Sequence, residues 1–355
     1  MYYRLITSLL KYKDLDITSI LLNEGKLADE VRKLGISVTV VDETRFNTLQ
    51  IVKKIRQNIK HLSPDIIHSH RRKENILAYY SVRPGNKIQM VCTQHGMSEP
   101  LNYNIKRLQN VALSKYNLYI MSKYFKRVIA VSEDIKNNFI QNYGFKIDNV
   151  LLIHNGTNVP DISSFNKDDN IYVIGSAGRL FKVKDYPLMV EIAREISQKT
   201  DKIKFVLAGD GPERETILDM VKKYKIEKTF ILTGFIDNMN NFYNDLDLYI
   251  NTSLHEGLPM SILEAMSHGL PVVAPRSGGI PEILKNGLHG FLVDARNPKM
   301  FAEKCLQLYW DRALSRRMGD ASREKIIDEF SLEKMAEKYY NLYVNILNTS
   351  AVISK

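Results

Sequence analysis

The sequence predicts an α/β protein of two doubly wound domains, each a parallel sheet covered by helices. Three observations carry this. Short apolar runs alternate with amphipathic stretches along nearly the whole chain, the pattern of parallel strands joined by crossover helices. At 355 residues the chain exceeds the size at which a single core stops growing, so two domains are expected. Between the two sets of runs, residues 157–170 are polar, contain Pro160 and follow neither a helical nor a strand period, so they read as a linker. The expected division is 1–157, 158–330 and a C-terminal helix within 331–355.

Taken in order, Met1-Tyr2-Tyr3-Arg4-Leu5 reads as the start of a helix. Strands follow at 17–22, 37–41, 66–68, 89–93, 127–131 and 149–153, most of them rich in Ile or Val. Helices separate them, at 27–34 and 48–61 among others, and Ser132 ahead of Glu133 and Asp134 has the character of an N-cap. In the second half, strands at 171–177, 204–208, 229–232, 248–251, 271–274 and 290–293 alternate with helices at 186–199, 213–224, 238–244 and 261–268, and with a short turn at 281–285. A last helix, 331–348, carries Met335, Tyr339, Leu342, Tyr343 and Ile346 at helical spacing, a stripe that reads as core packing. Open parallel sheets bind ligands beyond the carboxyl ends of their strands. Gly178-Arg179, Gly209-Asp210-Gly211, Gly234 and residues 253–256 all stand at such ends.

Composition narrows the function. The apolar content of 44% is that of an ordinary globular protein, and no apolar run reaches the 18 or so residues of a membrane span. The first residues mix Tyr, Arg, Lys and Asp with apolar ones, which is not a secretory signal. Cys92 and Cys305 lie far apart in apolar surroundings and read as buried thiols in a reducing cytoplasm. The net charge of +10 sits in the first half: residues 1–160 hold 24 Lys and Arg against 13 Asp and Glu, residues 161–355 hold 26 against 27. Clusters such as Lys53-Lys54-Arg56-Lys60, Arg71-Arg72-Lys73 and Lys123-Lys126-Arg127 predict contact with an anionic membrane or an anionic acceptor; a solvated basic surface is the alternative. Nucleic acid is not an expected partner, because no groove-entering motif or stacking platform accompanies the charge.

The residues with the sharpest chemistry lie in His255-Glu256-Gly257-Leu258-Pro259-Met260-Ser261-Ile262-Leu263-Glu264-Ala265-Met266. Pro259 suits the first turn of a helix, where its missing N–H would be unpaired anyway. Glu256 then precedes the helix and Glu264 lies one turn inside it. Backbone N–H groups near Met260 and Ser261 form an anion site fitted to a diphosphate, and Gly257 and Leu258 are placed with them in donor binding. A carboxylate such as Glu264 can accept a pair of ribose hydroxyls, and Glu256 then falls near the transferred group. Gly178 permits a tight turn from which Arg179 and Lys184 both reach a diphosphate. Two cations and a helix N-terminus can stabilise a leaving diphosphate without a metal. Asp245-Leu246-Asp247 has the spacing of a metal site, but it directly precedes a buried strand and reads as strand entry. His95, before Gly96 at the end of a strand, is a site candidate with a core or capping role as the alternative; His68 and His70 end the strand before it.

These segments together resemble the Glu-x7-Glu family-4 retaining glycosyltransferases of GT-B fold. The resemblance continues through Ser267-His268-Gly269-Leu270-Pro271, Gly278-Gly279-Ile280-Pro281-Glu282, Gly178-Arg179-Leu180 with Lys184-Asp185, and Gly209-Asp210-Gly211-Pro212-Glu213-Arg214. It implies an acceptor-side domain at 1–157, a nucleotide-sugar domain at 158–330, and a last helix that crosses back to the first. It implies that Arg179 and Lys184 hold the donor phosphates and that Glu264 holds the ribose. Glu256 and His95 then attend the donor sugar, in a front-side displacement with retention. The donor would be a nucleoside-diphosphate sugar used as a substrate, with no cofactor and no metal. The acceptor would be a glycan or a lipid-linked glycan of cell-surface polysaccharide synthesis, met in the cytoplasm at the inner face of the membrane. Against the family pattern, a first strand and its Gly-rich loop are absent ahead of residues 1–5, so nucleotide binding is expected with poor transfer. A nucleotide-sugar epimerase of the same fold, or a non-catalytic nucleotide-sugar binder, is the alternative.

Overall fold

Capping and apolar spacing set the first elements of the chain in a computed structural model that describes residues 1–82, 87–96, 105–161 and 170–353. The chain divides into two compact units, Met1–Asn155 with Leu332–Lys355, and Gly156–Ser331. Of the segment read as a linker, residues 162–169 lie outside the described residues.

In the first unit α1 (Tyr2–Leu9), α2 (Lys26–Lys33), α3 (Thr48–Leu62), α4 (Arg72–Ser81), α5 (Ile105–Tyr124) and α6 (Glu133–Gln141) alternate with β1 (Thr18–Leu21), β2 (Ser37–Val40), β3 (Ile66–Ser69), β4 (Gln89–Gln94), β5 (Arg127–Ala130) and β6 (Val150–Leu152). A capping box starts α3: the Asn47 side chain accepts from the Gln50 N–H and the Gln50 side chain accepts from the Asn47 N–H, each at 3.0 Å. Ile51, Ile55 and Ile59 then follow at steps of four and are buried. Ser132 caps α6 by accepting from the Ile135 N–H at 3.2 Å. All strand pairs are parallel. β1 pairs with β2, and β3 to β6 form a second sheet in sequence order. Among the described residues β1 and β3 therefore each keep one edge without a strand partner. The two sheets still share cores: Ile20 and Leu22 pack with Ile67 on the side of α3, and Ile17 packs with Ile66 in the cluster that holds Leu5 and Leu9 of α1.

The second unit holds β7 (Tyr172–Ala177), β8 (Ile203–Ala208), β9 (Phe230–Gly234), β10 (Leu248–Ile250), β11 (Val272–Pro275) and β12 (Gly290–Val293) in one parallel sheet, ordered β12-β11-β10-β7-β8-β9. Around it lie α7 (Tyr186–Ser197), α8 (Arg214–Tyr224), α9 (Met239–Asn244), α10 (Met260–Ser267), α11 (Ile280–Ile283), α12 (Pro298–Trp310) and α13 (Arg312–Glu329). The core is built from Ile174, Phe205 and Leu207 of the sheet with Met189, Ile192, Phe301 and Leu306 of the helices, all fully buried. Strand order reverses between β7 and β10. Such a switch point opens a crevice at the carboxyl ends of the two strands, and it is there that the loops at 178–184 and 251–256 emerge.

The last helix, α14 (Leu332–Ile353), belongs to the first unit. Its Met335, Tyr339, Leu342 and Ile346 pack with Leu5, Leu9, Val91 and Ile129. The stripe also makes polar contacts: Tyr339 meets the Thr93 hydroxyl at 2.9 Å and Tyr343 meets Nδ1 of His68 at 2.7 Å. Among the described residues no helix is long and apolar enough to cross a membrane.

Candidate active site

The loops after β7 and β8 pack backbone to backbone, which explains their glycines. The Leu180 N–H donates to the Asp210 carbonyl at 2.9 Å, and the Glu213 N–H donates to the Leu180 carbonyl at 3.0 Å. Gly209 has φ of 142°, and a Cβ there would collide with the carbonyl oxygen of Gly178. Gly178 itself faces the Tyr186 hydroxyl, 2.7 Å from where its Cβ would be. Arg179 leaves this turn into solvent, its guanidinium carbon 5.0 Å from the centre of the Phe181 ring.

Lys184 ends a short 3-10 turn and reaches Glu256, with Nζ 2.5 Å from Oε1. The same oxygen accepts from the Ser253 hydroxyl at 2.7 Å. The side chains of Lys184 and Glu256 are 23% and 14% exposed, so water screens this pair less than it screens a surface ion pair. The loop carrying Lys184 is tied to the loop after β10: the Thr252 hydroxyl donates to the Lys184 carbonyl at 2.9 Å, and the Leu254 N–H donates to the Val183 carbonyl at 2.8 Å. Asp185, with φ of 45°, turns the chain into α7 and is gripped by both forks of Arg296, at 2.5 and 3.0 Å. On its other side Glu256 is held by the glycine loop. Its carbonyl accepts from the Gly279 N–H at 3.0 Å, and Gly278, at φ of 54°, leaves no room for a side chain against it.

Four residues after Glu256, α10 begins. Pro259 stands at the N-cap, one position ahead of the helical turn expected for it, and its carbonyl accepts from the Ile262 N–H at 3.2 Å. The first N–H groups of a helix, here those of Met260 and Ser261, have no partner inside it. Ser261 turns its hydroxyl to Tyr249, so its backbone N–H is what it offers an anion. Burial pushes the Tyr249 phenol up to about 12, and it stays protonated against the end of β7, accepting from the Ala177 N–H at 3.2 Å. Glu264 lies on the half-exposed face of α10 and accepts from the Tyr243 hydroxyl at 2.8 Å. Gly257 is half-buried and Leu258 is buried beneath the turn.

Tyr243, Ser253 and Arg296 hold the candidate carboxylates and the Lys184 turn, and none of them was named as a site residue from the sequence. The Ser253 hydroxyl, three residues from Glu256, had a local signal; Tyr243 and Arg296 come from distant segments. Asp247 accepts from the Val173 N–H at 2.7 Å and donates its own N–H to the Val173 carbonyl at 2.8 Å, so it anchors the entry to β10. Among the described residues no group of three or more potential metal ligands is present. Cys92 and Cys305 are buried free thiols, pushed up by burial.

In the first unit, His95 directly follows β4 and lies next to His70, with Nε2 3.2 Å from Nδ1 of His70. His68 is held between Tyr343 and the Thr93 hydroxyl, at 2.7 and 2.8 Å. Burial lowers all three imidazoles, His68 to about 3, His95 to about 4 and His70 well below its ordinary value, so they are neutral at pH 7. Asn155 bonds the His95 ring and partly offsets that lowering.

Parallel doubly wound units of this kind, with loops gathered at a strand-order switch point, define the class of GT-B glycosyltransferases. The model of the family described as Glycosyltransferase Family 4 matches residues 9–160, and that of Glycosyl transferases group 1 matches residues 160–325. This chain belongs to those group 1, family 4 glycosyltransferases. It is 27% identical over 310 residues to the N-acetyl-alpha-D-glucosaminyl L-malate synthase of Bacillus anthracis, covering 84% of this chain and 79% of that one. It is 25% identical over 361 residues to the UDP-Gal:alpha-D-GlcNAc-diphosphoundecaprenol alpha-1,3-galactosyltransferase of Escherichia coli, covering 96% and 91%. Its fold is similar to that of Anabaena HepE, solved in complex with UDP and glucose, at a TM-score of 0.80 and 19% identity over 96% of this chain and 95% of that one.

Proposed function

We propose that this glycosyltransferase moves a hexosyl unit from a nucleoside-diphosphate sugar to a hydroxyl of a glycan or lipid-linked glycan, with retention and without a metal ion. The observation that carries the reading is the Lys184–Glu256 pair, fixed by Ser253 four residues before the N-terminus of α10. The first-turn N–H groups of Met260 and Ser261, with Lys184 and Arg179, supply positive charge where a leaving diphosphate gathers negative charge. Glu264, oriented by Tyr243, accepts the ribose hydroxyls. Glu256 takes a place by the donor sugar, and His95 contacts a sugar hydroxyl as a neutral imidazole. The E. coli relative is named for a UDP-sugar and a diphosphoundecaprenol-linked acceptor, and the Anabaena structure for UDP and glucose, which supports a nucleotide-sugar donor and a glycan acceptor here. The same reading places the enzyme in the cytoplasm, where buried Cys92 and Cys305 stay reduced.

The test is a panel of UDP-, GDP- and ADP-sugars, scored by thermal shift and by slow release of nucleoside diphosphate. The donor's anomeric configuration should be kept in the product, read by NMR. Release should survive a chelator. Loss of activity on chelation, restored by manganese or magnesium, would return Asp245 and Asp247 to the site, and an isomeric donor as the product would make the chain an epimerase.

A further inference from the structure

We infer that Arg296 is a positioning residue: by clamping Asp185 it fixes the corner of backbone that aims Lys184. The consequence for binding rests on the reading of Lys184 as a phosphate ligand, while the position of Lys184 can be measured without a ligand. The backbone at Asp185 is the first support. Among the described residues three other than glycine have positive φ, namely Ser63, Asp185 and Lys225. Ser63 and Lys225 are exposed and end α3 and α8, where a left-handed residue is routine. Asp185, at φ of 45°, is buried, and it both closes the 3-10 turn Lys182–Lys184 and opens α7. Its N–H donates to the Lys182 carbonyl at 3.1 Å, and its own carbonyl accepts from the Leu188 N–H at 3.0 Å. Lys184 therefore stands at a corner between two helical segments, and the conformation of Asp185 sets its direction.

The second support is the place its carboxylate goes. An Asp at the start of a helix ordinarily has an extended backbone and turns its carboxylate onto the first-turn N–H groups. At Asp185 the backbone is left-handed, and the side chain caps nothing. A buried carboxylate without a partner is costly. Arg296 supplies that partner, with Nε at 2.5 Å from one oxygen and Nη2 at 3.0 Å from the other. It comes from the segment between β12 and α12, and its Nη1 reaches Glu191, further along α7, at 3.4 Å. The planar fork thus spans the corner and the helix that the corner opens. On the other side, the Val183 and Lys184 carbonyls are held by Leu254 and Thr252 of the loop after β10. The segments that follow β7, β10 and β12 are tied together around Lys184 in this way, and its side chain is directed to Glu256.

Without the fork, two costs fall on one residue: a buried carboxylate with no cation, and a left-handed backbone that side chains disfavour. One change relieves both. Asp185 leaves the left-handed region and becomes an ordinary extended N-cap of α7. That change rotates the peptide carrying Lys184 and turns its amine away from Glu256 and from the diphosphate site. A glycine at 185 would have no such relief to gain. It takes positive φ without steric cost and has no carboxylate to cap with. Arg296 is therefore needed because residue 185 is Asp, and it acts on Lys184 only through that residue.

The experiment takes two readouts from the full chain. Reductive methylation, read by peptide mass spectrometry, gives the reactivity of the Lys184 amine relative to that of Lys182, an exposed residue of the same turn. Calorimetry gives the affinity for UDP. Arg296→Ala should raise the Lys184-to-Lys182 ratio severalfold and weaken UDP by about tenfold, the worth of a charge-assisted fork. Adding Asp185→Gly to Arg296→Ala should bring both readouts back toward the wild type. If Arg296→Ala melts too low to assay, Arg296→Lys takes its place; it keeps the charge without the fork and should shift both readouts the same way by less. An unchanged amine ratio in the Arg296 variant would overturn the clamp. A double variant that binds UDP as weakly as Arg296→Ala would make Arg296 a direct contact of the nucleotide and overturn it as well. Lys184→Ala binding UDP like the wild type would instead overturn the phosphate reading, and the amine ratio would then decide the clamp alone.

Discussion

Glu256 and Glu264 sit eight positions apart in one motif, yet their surroundings give them different tasks. Glu264 is oriented by a neutral phenol, Tyr243, and is left to accept hydroxyls. Glu256 is engaged by a cation, Lys184. Glu264→Ala should therefore weaken nucleoside diphosphate binding by about 1.5–3 kcal/mol, the worth of hydrogen bonds to a charged group. Glu256→Ala frees Lys184 for the diphosphate, so affinity should hold or rise while turnover falls. Calorimetry with the free diphosphate, alongside transfer rates, checks both; equal losses of affinity in the two variants would contradict the division. The two carboxylates and Lys184 were legible because their signals are local: a Pro before an apolar run, a Gly at a strand end. Arg296, which grips Asp185 from 111 positions away, was not legible, since a residue's partners across the fold leave no mark in its own neighbourhood.

Elements follow the same rule. The twelve strands among the described residues were readable because parallel strands covered by helices are short apolar runs bounded by turns. Helices α5 and α13 were not. In α5 Asn117 shares the buried face with Ile120 and Met121 while Val111, Leu113, Tyr119 and Tyr124 are exposed, and in α13 the buried positions include Ser315, Gly319 and Ser322, so the apolar stripe of each is interrupted. Where α13 meets the sheet's loops, Gly319 lies against the backbone of Gly269, a contact that small residues permit. The glycines after β7 and β8 work in the same way, and they yield a stability prediction. Gly209→Ala drives a methyl group into the Gly178 carbonyl at a backbone angle that disfavours side chains. The two loops must part, at a cost of about 1–3 kcal/mol by analogy with overpacked cores. Arg179 and Lys184 ride on the loop that moves. Urea melts should show the lost stability, and diphosphate affinity should drop with it; a variant as stable and as tight as the wild type would mean the loops part freely.

At the scale of the molecule the two units should differ in how they meet acid. The first contains His68, His70 and His95, buried and neutral, all lowered by burial. An unfolded chain would bind a proton on each near the ordinary value of 6.5, whereas the folded unit accepts them only near about 3 for His68 and about 4 for His95. Between those limits the unfolded state holds more protons than the native one, so stability falls as pH falls. The loss begins near 6.5 and approaches 1.4 kcal/mol per pH unit for each histidine. His68 and His95 together give a loss on the order of 2 kcal/mol between pH 6 and 5, and His70 adds to it with the same sign. The second unit has His268 and His289 lowered by only partial burial, and its share of the sequence carries almost no net charge. The first unit, already rich in Lys and Arg, also gains repulsion as its acidic groups protonate. Hydrogen exchange read separately on β4 with β5 and on β7 with β8 should show the first pair losing protection as pH drops from 7 to 5 while the second holds. His70→Gln removes one titrating group and should flatten that slope. Parallel loss in both units, or a slope that His70→Gln leaves untouched, would mean that the buried imidazoles do not govern the acid response. The sign matters for function as well, because the histidine proposed to meet the donor sugar titrates within this set. If His95 acts as a neutral imidazole, transfer should decline on the acid side only where the first unit itself begins to open, with no separate ionisation near pH 6.5.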